Sequence, residues 1–150
     1  MRKSKRRSNL SACLIVCLLF LQGCSGAAQV PINARGNSLK SDDSQAIEAQ
    51  NGRAIKQIIT VEARVVRLLR EDDQGLPHQK FLIGLSNGTT VLIAHDIAMA
   101  PRVPLNVGDI VTIHGEYIWN AKGGLIHWTH RSDTPRHESG WIDLNGVRYQ

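Results

Sequence analysis

From residue 55 onward, apolar and polar positions alternate with the two-residue period of half-buried strands. The main predicted strands are Ile55 to Leu69, Lys80 to Leu85, Thr89 to His95, Asp109 to Trp119 and Leu125 to Arg131; a short pair, Trp141 to Leu144 and Val147 to Tyr149, follows. Turn chemistry separates them. Ser86-Asn87-Gly88 and Asn145-Gly146 offer the positive φ angles of a two-residue hairpin, and residues 120–124 (NAKGG) form a longer glycine-rich turn. Five main strands joined by short loops predict an antiparallel sheet that must close or be covered, because an open edge is a template for aggregation. The expected fold is all-β, a small OB-like antiparallel β-barrel whose long first strand bends to serve both halves. A two-sheet β-sandwich is the other architecture of this size. Residues 96–108 stand where such a barrel carries a connecting helix, but Pro101 and Pro104 leave little room for one.

Upstream the periodicity disappears. Residues 25–50 are small and polar, the composition of a tether, with at most a turn or two of helix from Ser44 to Gln50 capped by Asp43. Before them come Arg2, Lys3, Lys5, Arg6 and Arg7, an apolar run from Ala12 to Leu21, and Leu21-Gln22-Gly23-Cys24. The run is ten residues long, half of the ~20 needed to cross a bilayer, so it reads as the core of a signal peptide. The Leu-Gln-Gly-Cys ending resembles the bacterial lipobox, which implies lipidation of Cys24 and cleavage before it. Ser25 in place of an aspartate implies the outer membrane, with the chain facing the periplasm and the membrane as partner through the lipid anchor. The expected organisation is signal peptide 1–23, flexible tether 24–50 and barrel domain 51–150.

Charge then changes the picture of function. The net charge of +5 suggests a polyanion binder. Yet five of the 18 basic residues precede position 8, and the 13 that follow Cys24 face 13 acidic ones. The domain is therefore formally neutral, which argues against nucleic acid, since Lys and Arg supply most of the nonspecific affinity for it. The same cut removes Cys13 and Cys17, leaving one thiol and no internal disulfide.

Several unusual runs stand along the domain: Asp72-Asp73-x-Gly75-x-x-His78-Gln79-x-Phe81, Leu92-Ile93-Ala94-His95, Gly115-Glu116-Tyr117-x-Trp119-Asn120 and Gly123-Gly124-x-Ile126-His127-Trp128-Thr129-His130. With Ala100-Pro101-Arg102 and Gly140-Trp141-Ile142, they make Arg67 to Gln150 resemble an uncharacterised family of small bacterial exported domains, a domain of unknown function. That resemblance lends no activity. Where the family usually has an aromatic, this chain has His114.

Chemistry must come from the six histidines and nearby carboxylates. With Asn87-Gly88 as a two-residue turn, Ser86 faces Thr89 and Lys80 faces His95, so that His78, Gln79, His95 and Asp96 gather near Glu71-Asp72-Asp73. The other reading makes the aspartates turn formers and the histidines partners of the backbone. In the second hairpin Glu116 faces His127 and His114 faces Thr129. Val111, Ile113, Tyr117, Trp119, Ile126 and Trp128 then share the buried face, and Thr112, His114, Glu116, His127 and Thr129 the other. His114, Glu116 and His127 would suit a divalent zinc or iron ion; a Glu116–His127 ion pair worth ~0.2–1 kcal/mol is the plainer reading. His127 and His130 point to opposite faces unless the strand ends or bulges between them.

No nucleophile elbow, phosphate loop or dinucleotide fingerprint is present. The expected function is a periplasmic binding module for an envelope protein, glycan or small ligand, with His78, Gln79, His95, Glu116, Asn120, His127 and His130 as candidate contacts. The alternative is a metal-dependent, nuclease-like hydrolase.

Overall fold

The computed structural model describes residues 42–71 and 75–150. The expected signal peptide, Cys24, most of the tether, and Asp72 and Asp73 lie outside the described residues. One helix, α1 (Ser44–Asn51), precedes seven strands: β1 (Ile55–Leu68), β2 (His78–Gly84), β3 (Thr90–Asp96), β4 (Ile110–Ile118), β5 (Leu125–His127), β6 (Trp141–Leu144) and β7 (Val147–Tyr149).

The strands run in the order β1-β2-β3-β5-β4, and β1 also pairs with β4, so the sheet closes. All these pairings are antiparallel except β3 with β5. The result is a five-stranded OB-like barrel rather than a sandwich, with β6 and β7 appended to β4. The long first strand bends as its length predicts. Its first half pairs with β4 and its end with β2, with register shifts beside Lys56, at φ 59, and beside Val66. Alternation supplies the core: Ile59, Val61, Ala63 and Val65 of β1 meet Phe81, Ile83, Val91, Ile93, Ile113 and Tyr117, all buried.

Both ends of the barrel are stopped. α1 covers the end carrying the β2–β3 and β4–β5 loops. Ala46 and Ala49, three residues apart on one helical face, are buried in the core. The Asp43 carboxylate does not cap its own helix; it accepts from the backbone N–H and the hydroxyl of Ser86. The Gln50 amide donates to the carbonyls of Gly123 and Thr90 at 2.7 and 3.3 Å. The chain ahead of β1 thus belongs to the folded domain: the tether expected to reach residue 50 gives way to structure by Asp42, because its two alanines have a core to enter. The segment between β3 and β4 stops the other end. It contains no helix, as its prolines predict, and buries Ala100, Val103 and Leu105.

Two local expectations are corrected. In the β2–β3 hairpin Gln79, not Lys80, faces His95. Only Gly88 has positive φ in that loop, and the N–H groups of Leu85 and Gly88 bond to Thr89 and Leu85, so the loop holds three residues with a glycine bulge. Asn145-Gly146, both at positive φ, is the two-residue turn expected. The second correction concerns β5, which ends at His127 instead of reaching Arg131.

Candidate functional site

Trp128 adopts φ 50, a left-handed conformation uncommon for a bulky residue, and this single residue reverses the alternation that follows it. Ile126 is buried as expected, but Trp128 turns outward and Thr129 inward. The kinked backbone packs closely on Gly140, where a Cβ would stand 2.0 Å from the Trp128 carbonyl and 2.6 Å from that of His114. Trp128 therefore leaves the core for which alternation marked it. Its indole stacks on His127 at 4.8 Å and on His137 at 4.5 Å, while His137 meets His130 edge-on at 5.1 Å.

The end of β5 brings together what a longer strand would have separated. His127 and His130 line one cleft of about 310 Å3 with Trp128, His78 from the start of β2, and Ala94 and Asp96 from the end of β3. Exposed Leu76 and Met99 form its rim. The loop-end group expected from the first hairpin and the polar face expected from the second thus share a single site. His127 is held by Glu116, whose carboxylate accepts from Nε2 at 3.2 Å and is itself buried. His130 donates Nδ1–H to the Arg131 carbonyl at 2.8 Å, which leaves its other nitrogen without the ring hydrogen when the ring is neutral. The Asp96 carboxylate accepts from the Ala98 N–H at 2.8 Å, turning the chain beneath Met99.

The remaining sequence candidates have structural work instead. His95 is fully buried inside the barrel. The Pro101 carbonyl can only accept, so Nε2 of His95 carries the hydrogen at 3.1 Å, and Nδ1 accepts from the Thr129 hydroxyl at 2.8 Å. Burial pushes the His95 imidazole below its usual titration range, against the favourable bond to Pro101. Gln79 is buried in a reciprocal pair with Val103, donating to its carbonyl at 2.7 Å and accepting from its N–H at 3.0 Å. Asn120 closes the β4–β5 turn, its Oδ1 accepting from the N–H groups of Lys122 and Gly124.

Among the described residues, no group of three or more His, Cys, Asp or Glu side chains could hold a metal ion. Glu116 does face His127 as expected, but His114 faces Thr60 of β1 and Trp141 of β6 rather than Thr129. Its ring bonds to the Thr60 hydroxyl at 2.8 Å and to Glu138 at 3.2 Å, and stacks on Trp141. The expected ligand trio is thus divided between two separate partnerships. Sequence reasoning missed Leu76, Met99 and Trp128 as lining residues. Leu76 and Met99 lie in loops without periodicity, and the outward turn of Trp128 depends on a positive φ for which a bulky residue gives no sequence signal.

The chain is by its architecture an OB-like barrel with a histidine-rich cleft on its outer face. The family model described as "Protein of unknown function (DUF3465)" matches residues 28–150, and the chain belongs to that family. No curated protein matches it.

Proposed function

We propose that this chain is a binding module of the bacterial envelope, held at the outer membrane by lipid on Cys24, whose partner enters the cleft between His78, Asp96, His127 and His130. The observation that carries this reading is the convergence of three imidazoles in one cleft on a barrel whose interior is filled and whose ends are both stopped. A cavity of about 310 Å3 lies at the lower end of the ~300–1,000 Å3 usual for ligand sites, and it combines an apolar rim with few polar groups, as such sites do. Glu116 fixes His127 before any partner arrives, which lowers the ordering cost of binding. The metal-dependent hydrolase draws less support, because among the described residues no three His, Cys, Asp or Glu side chains, those of the cleft included, are grouped so that they could hold one metal ion.

A photo-crosslinking side chain tests the reading in cells. Placed at Met99, on the cleft rim, it should give one discrete adduct that disappears when His127 is replaced by glutamine. Placed at exposed Val147, on the appended hairpin, it should give none. Equal labelling from both positions would exclude the cleft as the binding site.

A further inference from the structure

We infer that the partner is an extended peptide segment that runs from the histidine cleft along the outer face of β3 into a second cavity at the other end of the barrel. This rests on the cleft being a binding site and adds the class of the ligand and its path.

The second cavity, of about 460 Å3, is lined by Gln50, Thr89, Thr90, Trp119, Asn120 and Lys122. Its walls are set in advance. Gln50 ties α1 to the Gly123 and Thr90 carbonyls, and Asn120 holds the β4–β5 turn. Gly123 admits no side chain, since a Cβ there would meet the Thr90 carbonyl at 2.1 Å. Among the described residues, no acidic side chain lines this cavity, whereas exposed Lys122 does, and the Arg53 guanidinium lies 5.0 Å over the Trp119 ring. Such a cavity favours an anionic group.

β3 connects the two cavities. Its inward residues are Val91, Ile93 and His95; Thr90 lines the second cavity, Ala94 and Asp96 line the cleft, and Leu92 lies between. Six residue steps at the strand rise cover about 20 Å, a span beyond any single small ligand of the cleft's size. The ground between is aliphatic. Leu92 faces Leu82 on one side and Leu125 on the other, and Leu125 faces Ile118, which makes a row of half-buried apolar side chains across four strands. An extended peptide has the same rise, so about seven residues reach from end to end. Apolar side chains then rest on the Leu92 row, and a carboxylate reaches Lys122. A sugar polymer would look for open aromatic faces, but Trp128 is already stacked on His127 and His137.

The test uses the full-length chain in detergent and fluorescence anisotropy with labelled peptides of alternating leucine and serine. The seven-residue peptide ending in aspartate should bind at least tenfold more tightly than its three-residue version. Lys122→Glu, a charge reversal on an exposed turn, should weaken the aspartate-ended peptide at least tenfold but not one ending in lysine amide. His127→Gln should weaken both lengths. Equal affinity of the two lengths, with no effect of Lys122→Glu, overturns the path along β3 while leaving the cleft in place. Binding of a seven-unit oligogalacturonate in place of the peptides, or binding of no peptide at all, overturns the peptide class; the Met99 adduct then reports separately on whether the cleft itself is used.

Discussion

His95 shows how one buried side chain ties the cleft to the core. It joins β3 to the Pro101 carbonyl on one side and to Thr129, just past the kink at Trp128, on the other. Its folded-state affinity for protons is lowered by burial. Below the ordinary imidazole value of ~6.5 the unfolded chain therefore takes up a proton that the folded chain refuses. Stability is unaffected by this group above that pH and falls as the pH drops below it, until His95 itself protonates. Urea midpoints should be level from pH 8 to 7 and decline below about 6.5, with a shallower decline in His95→Asn; an equal decline in the variant would assign the loss to another group. At this scale the sequence was legible as far as alternation held. Val111, Ile113, Tyr117 and Ile126 are buried where the pattern put them. Trp128 departs because its backbone turns left-handed where it packs on Gly140, and a two-residue period carries no such information.

The elements follow the same division. Strand identity came through well, since apolar alternation and turn residues are local properties, and the Glu116–His127 pairing emerged as counted from the glycine-rich turn. The β2–β3 register did not, because Ser86-Asn87-Gly88 suits both a two-residue and a three-residue loop and the choice shifts every pair by one. α1 was legible only as a trace of helix, since its reason for folding is tertiary. It covers the edge of β1 that β2 leaves unpaired: Glu62 N–H donates to the Asp42 carbonyl, and Thr60 N–H donates to the Gln45 side chain. Gln50 then fastens the end of the helix to both loops. Replacing Gln50 with alanine should cost about 1–2 kcal/mol in a urea melt, since it removes the two bonds its amide donates and those its oxygen accepts from Thr89 and Asn87, while leaving partners that water can reach. A midpoint unchanged from that of the parent chain would mean that the buried alanines and the contacts of Asp42, Asp43 and Gln45 hold the helix without Gln50.

At the scale of the whole molecule, the proposed function depends on what would place the barrel at a membrane. The excess of positive charge lies before position 8, and 13 basic residues face 13 acidic ones after Cys24, so no long-range field draws the domain to a polyanion. The proposed lipid on Cys24 must then do the placing. Several acyl chains, at ~0.8 kcal/mol per buried CH2, would hold it durably where one alone would be marginal. Residues 24 and 42 are 18 peptide units apart, at most about 65 Å of chain at ~3.3–3.6 Å per residue, so with the proposed lipid in place a partner met by the cleft would come within that reach, plus the width of the barrel, of the bilayer. Cys24→Ser is the variant that tests anchoring, because Cys24 is far along the chain from the described barrel residues. The variant should move from the membrane pellet to the soluble fraction with its urea midpoint unchanged, and its Met99 adduct should weaken if the partner is itself membrane-bound. Retention of Cys24→Ser in the pellet after a carbonate wash would reject the lipid anchor, and the search for the partner would then no longer be confined to the membrane's vicinity.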